Sequence, residues 1–138
     1  RRNGADVIRV RKMLREDMAT YKARAQVVRD AEVYHDHYAV AICETTDVES
    51  PTIVGAQAAN ELLNIVGIKA SFVITDYRGK VYISARSIDE VDVQKLMEQL
   101  GGGGHLNIAG AQIPGDDIDE VKQKLIELID EHVDKGDL

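Results

Sequence analysis

The chain has 138 residues, long enough to bury roughly 68% of its unfolded surface and hold one core without disulfide or metal staples. Its 44% hydrophobic and 30% charged residues give an ordinary soluble globular composition, with 17 Lys and Arg against 24 Asp and Glu for a net charge of −7 with His neutral. That acidic balance, with five Tyr, one Phe and no Trp, argues against a long nucleic-acid duplex or a ladder of stacked single-stranded bases as the main partner. The single cysteine, Cys43, excludes an internal disulfide and suits a reducing, cytoplasmic compartment. No apolar run reaches the ~18 residues of a membrane span, and no signal-peptide pattern opens the chain, so no membrane contact is expected.

The first residues, Arg1-Arg2-Asn3-Gly4, lack an initiator Met and read as the end of a helix. They predict that the chain is cut from something larger. Asp6 is placed to cap a helix running to about Glu32, with Val7, Leu14, Met18, Tyr21, Ala25 and Val28 on one stripe. A helix of that length spans about 40 Å and reads either as packed on its own sheet or as a connector to another domain. His37 to Glu44 is apolar on both faces and predicts a buried central strand. Ser50-Pro51 starts a second helix, and Gly67 stops it. Lys69–Thr75 and Lys80–Arg86, joined by Asp76-Tyr77-Arg78-Gly79, predict an antiparallel hairpin. Asp92 caps a short helix; Leu106–Ile113 is a further extended stretch, turned by Pro114-Gly115. Asp117 and Glu120 stand at capping-box spacing before a last amphipathic helix with Ile118, Val121, Leu125, Leu128, Ile129 and Val133 on its stripe. The expected fold is therefore α/β: a mixed sheet of four to five strands, with a parallel crossover and an antiparallel hairpin, flanked by helices.

The chemistry concentrates at Gly101 to Gly104, which lead directly into His105. A helix C-cap uses one glycine, and each further glycine costs roughly 0.5–1 kcal/mol relative to Ala in an ordered element. A backbone without Cβ atoms lets a ligand approach, and successive N–H groups make an anion-binding nest beside which His105 supplies a directional donor. The following Ala109, Gly110 and Ala111 keep the neighbourhood small. No Lys-Ser or Lys-Thr follows the glycines, so this is not a P-loop; they come after a helix and before a strand, so it is not a dinucleotide fingerprint either. The pattern predicts binding of a phosphate or carboxylate.

Leu100-Gly101-Gly102-Gly103-Gly104-His105 followed by Ala109-Gly110-Ala111 resembles the signature of the DHH-associated domain, the substrate-binding half of DHH-family phosphodiesterases. Ala58 to Leu63, Ile68 to Ile74 and Ser84 to Ser87 are similar to the branch of GdpP-type cyclic-di-AMP phosphodiesterases, and Arg2 to Asp6 is similar to the end of that branch's DHH domain. The resemblance implies a bacterial second-messenger hydrolase, with residues 1–33 as the tail of a DHH domain plus a connector helix, and 34–138 as the substrate-binding domain. It implies that Gly102, Gly103, Gly104 and His105 line a phosphate, that Arg86 supplies a cation nearby, and that Ser71 and Ser87 edge the pocket. The ligand would be cyclic-di-AMP or a linear dinucleotide such as pApA. Manganese would be held by the DHH domain and not by this fragment, which on this reading contains no catalytic residue and no metal ligand and is inactive alone. The parent protein's membrane anchoring and a homodimer are left open. Asn60 stands where the branch more often has Asp, and Ile108 where Ala is common. Alternatives are a RecJ-like exonuclease domain, a nanoRNA phosphatase domain, or a non-enzymatic dimerising module such as the C-terminal domain of alanyl-tRNA synthetases.

Other candidates have blander explanations. His35-Asp36-His37 reads as a surface turn at a strand junction, Cys43 as a small core residue, Asp116-Asp117 as a helix cap, and the acidic run from Glu127 to Asp137 as the solvated face of the last helix.

Overall fold

A computed structural model describes residues 17–44, 48, 50–115 and 117–138. Its elements are α1 (Met18–Arg29), β1 (Glu32–Tyr34), β2 (Tyr38–Cys43), α2 (Pro51–Leu62), β3 (Ala70–Tyr77), β4 (Lys80–Ser87), α3 (Val93–Gln99), β5 (Gly103–Gly104), β6 (Ile108–Pro114) and α4 (Ile118–Asp134). The strands form one six-stranded sheet in the order β1-β2-β3-β4-β6-β5. Only β2 and β3 pair in parallel, with α2 as the crossover between them; the other four pairings are antiparallel.

The α/β class, the parallel crossover and the hairpin are as expected, but the sheet has six strands rather than four to five. The two additional strands are short and lie at opposite edges. β1 begins where the first helix was expected to end: α1 stops at Arg29, short of Glu32, and Glu32–Tyr34 turns back to pair with β2. Nor does α1 run unbroken from Asp6. Asp17 is extended (φ −74°, ψ 163°), and its carboxylate accepts the Thr20 N–H at 2.7 Å, so the helix starts there. The expected cap at Asp6 lies outside the described residues. The β3–β4 connection is also tighter than the four-residue turn expected, because the strands pair out to Tyr77 and Lys80. Only Arg78 and Gly79 remain in the turn, both at positive φ (51° and 75°), as a two-residue hairpin of matching twist requires. Ser50 caps α2 by position, but its side chain makes no capping bond.

Each face of the sheet carries its own core. Phe72, Ile74, Val81, Ile83 and Ala85 pack under α3 and α4 against Leu96, Met97, Leu125 and Ile129. On the other face Ala39, Ala41, Cys43 and Val73 pack against Val54, Ala58 and Leu62 of α2 and Val27 of α1. β3 is buried on both faces from Ala70 to Thr75, consistent with its central place. β4 alternates instead: Val81, Ile83, Ala85 and Ser87 are buried, while Tyr82, Ser84 and Arg86 are half-buried. That alternation builds the site, because α2 does not extend over β6.

Candidate functional site

The glycine loop leaves α3 through a Schellman turn. The Gly101 N–H bonds the Glu98 carbonyl at 3.2 Å, the Gly102 N–H bonds the Met97 carbonyl at 2.8 Å, and Gly101 has φ +83°. The next three glycines are not alike. A Cβ on Gly102 would stand 2.0 Å from the Gly110 carbonyl oxygen, and one on Gly104 would stand 2.5 Å from that of Ile108. These two glycines exist so that the loop can lie directly on β6. A Cβ on Gly103 would meet nothing within 4 Å. Of the three glycines expected at the phosphate, only Gly103 owes nothing to packing within the fold.

Strand register places the remaining groups. Gly103 pairs with Gly110, which pairs with Ser84. The His105 N–H bonds the Ile108 carbonyl at 2.7 Å, and Ile108 pairs with Arg86. Tyr82 pairs with Gln112. Since side chains alternate along strands, Arg86, Ser84 and Tyr82 share the face that α2 covers only in part. His105 and Arg86 belong to one row across three strands, about 10 Å apart at the backbone. His105 is exposed, and its imidazole has no hydrogen-bond, ionic or ring partner among the described residues. Arg86 is half-buried; its Nε donates to Asn60 Oδ1 at 3.1 Å and its Nη1 to the Ala85 carbonyl at 2.9 Å. Burial lowers the guanidinium pKa from its ordinary value, a desolvation that an anionic ligand would offset. Asn60, a departure from the resembling branch, thus orients the cation. Ile108, the other departure, is 57% exposed beside it.

Ser71 and Ser87 are not presented to this site. Ser71 is fully buried, and its hydroxyl donates to the Ala59 carbonyl of α2 at 2.6 Å. Ser87 points to the opposite face: its hydroxyl donates to the Val91 carbonyl at 2.6 Å and accepts from Asn107 Nδ2 at 2.9 Å. It fixes the turn after the glycine loop. Both lie next to pocket residues in sequence or register, and sequence alone could not say which way their hydroxyls were used.

The groove between α2 and the glycine loop has a volume of about 500 Å³, with Thr52, Tyr82, Ser84, Gly110 and Gln112 among its lining. The sequence reading missed Thr52, Tyr82 and Gln112 as site residues. The signal for Tyr82 was present in the alternation of Tyr82, Ser84 and Arg86 with Val81, Ile83 and Ala85; nothing in the sequence marked Thr52 or Gln112.

His35 and Asp36 form the β1–β2 turn at positive φ (50° and 66°). His35 Nε2 lies 2.7 Å from Asp130 Oδ1, and His37 Nδ1 lies 2.8 Å from the Gly67 carbonyl. Cys43 is buried in the core under α2. Asp117 caps α4 by accepting the Glu120 N–H at 3.0 Å, while Asp116 lies outside the described residues. Among the described residues no three His, Cys, Asp or Glu side chains are grouped to hold a metal ion. Among the described residues no helix is long and apolar enough to cross a membrane.

The family model described as "DHHA1 domain" matches residues 36–131, and the chain belongs to that family. It is 44% identical over 128 residues to cyclic-di-AMP phosphodiesterase PdeA of Listeria monocytogenes, covering 92% of this chain and 19% of that protein. It is 41% identical over 137 residues to cyclic-di-AMP phosphodiesterase GdpP of Geobacillus thermodenitrificans, covering 99% of this chain and 21% of that protein. The chain thus spans about a fifth of the length of these curated relatives. The crystal structure of an exopolyphosphatase-related protein from Bacteroides fragilis shares the fold, with a TM-score of 0.70 at 18% identity, covering 89% of this chain and 36% of that one.

Proposed function

We propose that this chain is the substrate-holding domain of a cyclic-di-AMP phosphodiesterase. One observation carries the reading: Gly103, where a Cβ would meet nothing and no positive φ calls for glycine, is followed two residues on by a histidine whose ring has no partner among the described residues. An anion in that place can take the exposed backbone of the loop, a hydrogen bond from His105 and the field of Arg86. The similarity to PdeA and GdpP supports a cyclic dinucleotide as the source of that anion. Arg86 draws the phosphate toward the α2 side of the sheet, with its guanidinium fixed between Asn60 Oδ1 and the Ala85 carbonyl. The metal-assisted attack on the phosphodiester belongs, on this reading, to a DHH domain with manganese elsewhere in the parent protein.

The test is calorimetric titration of the chain with cyclic-di-AMP and pApA, alongside a manganese turnover assay. Binding without cleavage is expected. Substantial hydrolysis by the pure chain, or no binding of either nucleotide, refutes the assignment. His105→Ala should weaken binding about tenfold or more, since a hydrogen bond involving a charged group contributes ~1.5–3 kcal/mol. An unchanged affinity would remove His105 from the site.

A further inference from the structure

We propose that Asn60 is a positioning residue that sets the charge of the anion site: it holds Arg86 with a neutral acceptor, so that the guanidinium keeps its full positive charge for the ligand. The proposal rests on the phosphate reading above and deepens it.

The partners are shared out on one turn of α2. Asn60 and Glu61 are neighbours in sequence, and successive helical residues diverge by about 100°. Glu61 points to α1, where its carboxylate lies 3.3 Å from Arg24 Nε, and Gln57, one turn earlier, accepts from Arg24 Nη1 at 3.2 Å. Asn60 points to β4 and accepts from Arg86 Nε at 3.1 Å. Glu61 is the one carboxylate of α2, and it goes to the arginine that joins two helices. The amide goes to the arginine on β4.

The two arginines therefore end in different electrostatic states. The Arg24 side chain is 15% exposed, and its charge faces that of Glu61. Arg86 is half-buried and forms no ion pair with a described residue, in a chain that carries 24 Asp and Glu. Its partners are two neutral oxygens, Asn60 Oδ1 and the Ala85 carbonyl. Burial pushes its pKa down, with no carboxylate acting against that shift. A half-buried cation held only by neutral dipoles recovers its desolvation cost when an anion arrives. The orientation of the amide adds to this. A guanidinium donates and never accepts, so the Asn60 oxygen must face Nε. Asn60 Nδ2 is left without an acceptor among the described residues. It offers an anion a further donor where a carboxylate would present a second negative oxygen.

The experiment measures cyclic-di-AMP affinity by calorimetry at neutral pH for the wild-type chain, Asn60→Asp, Asn60→Ala, Arg86→Gln and His105→Ala, with a thermal melt of each. Asp has the shape of Asn and keeps the oxygen that Arg86 Nε uses, so Asn60→Asp should melt at or above the wild-type temperature. Its affinity should nonetheless fall about tenfold, the order expected when a unit charge opposes an anion across a partly solvated gap. Asn60→Ala loses the hydrogen bond but adds no charge, and it should bind more tightly than Asn60→Asp. An Asn60 that served the fold alone would give the reverse order. Added salt should narrow the gap between Asn60→Asp and wild type, because screening acts on charge and not on shape. An Asn60→Asp variant that binds as tightly as wild type, or whose deficit is the same at every salt concentration, overturns the proposal. Arg86→Gln and His105→Ala separate it from the reading beneath it. If either weakens cyclic-di-AMP and Asn60→Asp does not, the anion site stands and the role of Asn60 falls. If neither weakens it, the anion site itself is refuted, and the role of Asn60 with it.

Discussion

Gly102 and Gly103 are neighbours of identical chemistry with opposite duties. The 2.0 Å approach of a Gly102 Cβ to the Gly110 carbonyl means that Gly102→Ala must push the loop off β6. The expected loss is about 1–3 kcal/mol, read as a fall in Tm of several degrees. Gly103→Ala meets nothing and should leave Tm within the ±0.5 kcal/mol typical of surface changes, while weakening cyclic-di-AMP in titration. A Gly103→Ala variant that binds normally would show that the ligand does not come close there. The glycine run stood out in the sequence, but the division of labour inside it was not legible there. Glycine spacing carries no record of which Hα faces the neighbouring strand. Ser71 shows the same limit: Ser71→Ala should cost about 1 kcal/mol of stability by losing the bond to Ala59, with ligand affinity unchanged.

At the scale of elements, the signals that survived were those in which local chemistry and burial agree. Asp92 and Asp117 each accept the N–H three residues on, and Ile118, Val121, Leu125, Ile129 and Val133 of the last stripe face the core, while Leu128 does not join it. Asp117→Ala should cost about 1 kcal/mol of stability, measurable by denaturant melts with an unchanged slope. What failed was the extent of the first helix. Helical spacing continues through Asp17 and past Arg29, yet Asp17 turns its carboxylate to a helix start, and Glu32–Tyr34 finds strand partners in β2. A three-residue strand is too short to show alternation, and its pairing exists only once β2 is in place. β5 was missed for the same reason, being two glycines whose strand character comes entirely from β6.

Across the whole molecule, exposed ion pairs tie the edges of the sheet to the helices. Glu32 Oε1 lies 2.5 Å from Lys122 Nζ and holds β1 to α4; Asp137 Oδ2 lies 3.3 Å from Lys95 Nζ and 3.1 Å from His132 Nδ1, joining the chain's last residues to α3 and α4. The Lys122 hydrogen bond holds Glu32 below its ordinary carboxylate range, and the Lys95 and His132 bonds do the same for Asp137. A carboxylate whose folded pKa lies below its unfolded one stabilises the fold above the unfolded value and loses that contribution as pH falls through the folded one. Tm should therefore stay flat from pH 7 to about 5 and decline below about 4. Glu32→Gln should flatten part of the decline, and added salt should weaken it, since both pairs are exposed. A Tm that rises on acidification would contradict this arrangement.

The alternation of β4 reaches further than the groove it shapes. Val81, Ile83 and Ala85 belong to the core, and Tyr82, Ser84 and Arg86 stand half-buried on the opposite face, where the anion is proposed to bind. Heritable change can therefore rewrite what the domain recognises at every second position without disturbing what makes it fold. An inserted or deleted residue in the same strand has no such freedom. It would turn the arginine into the core and the valine out to the groove, so that recognition and folding would be lost in one event.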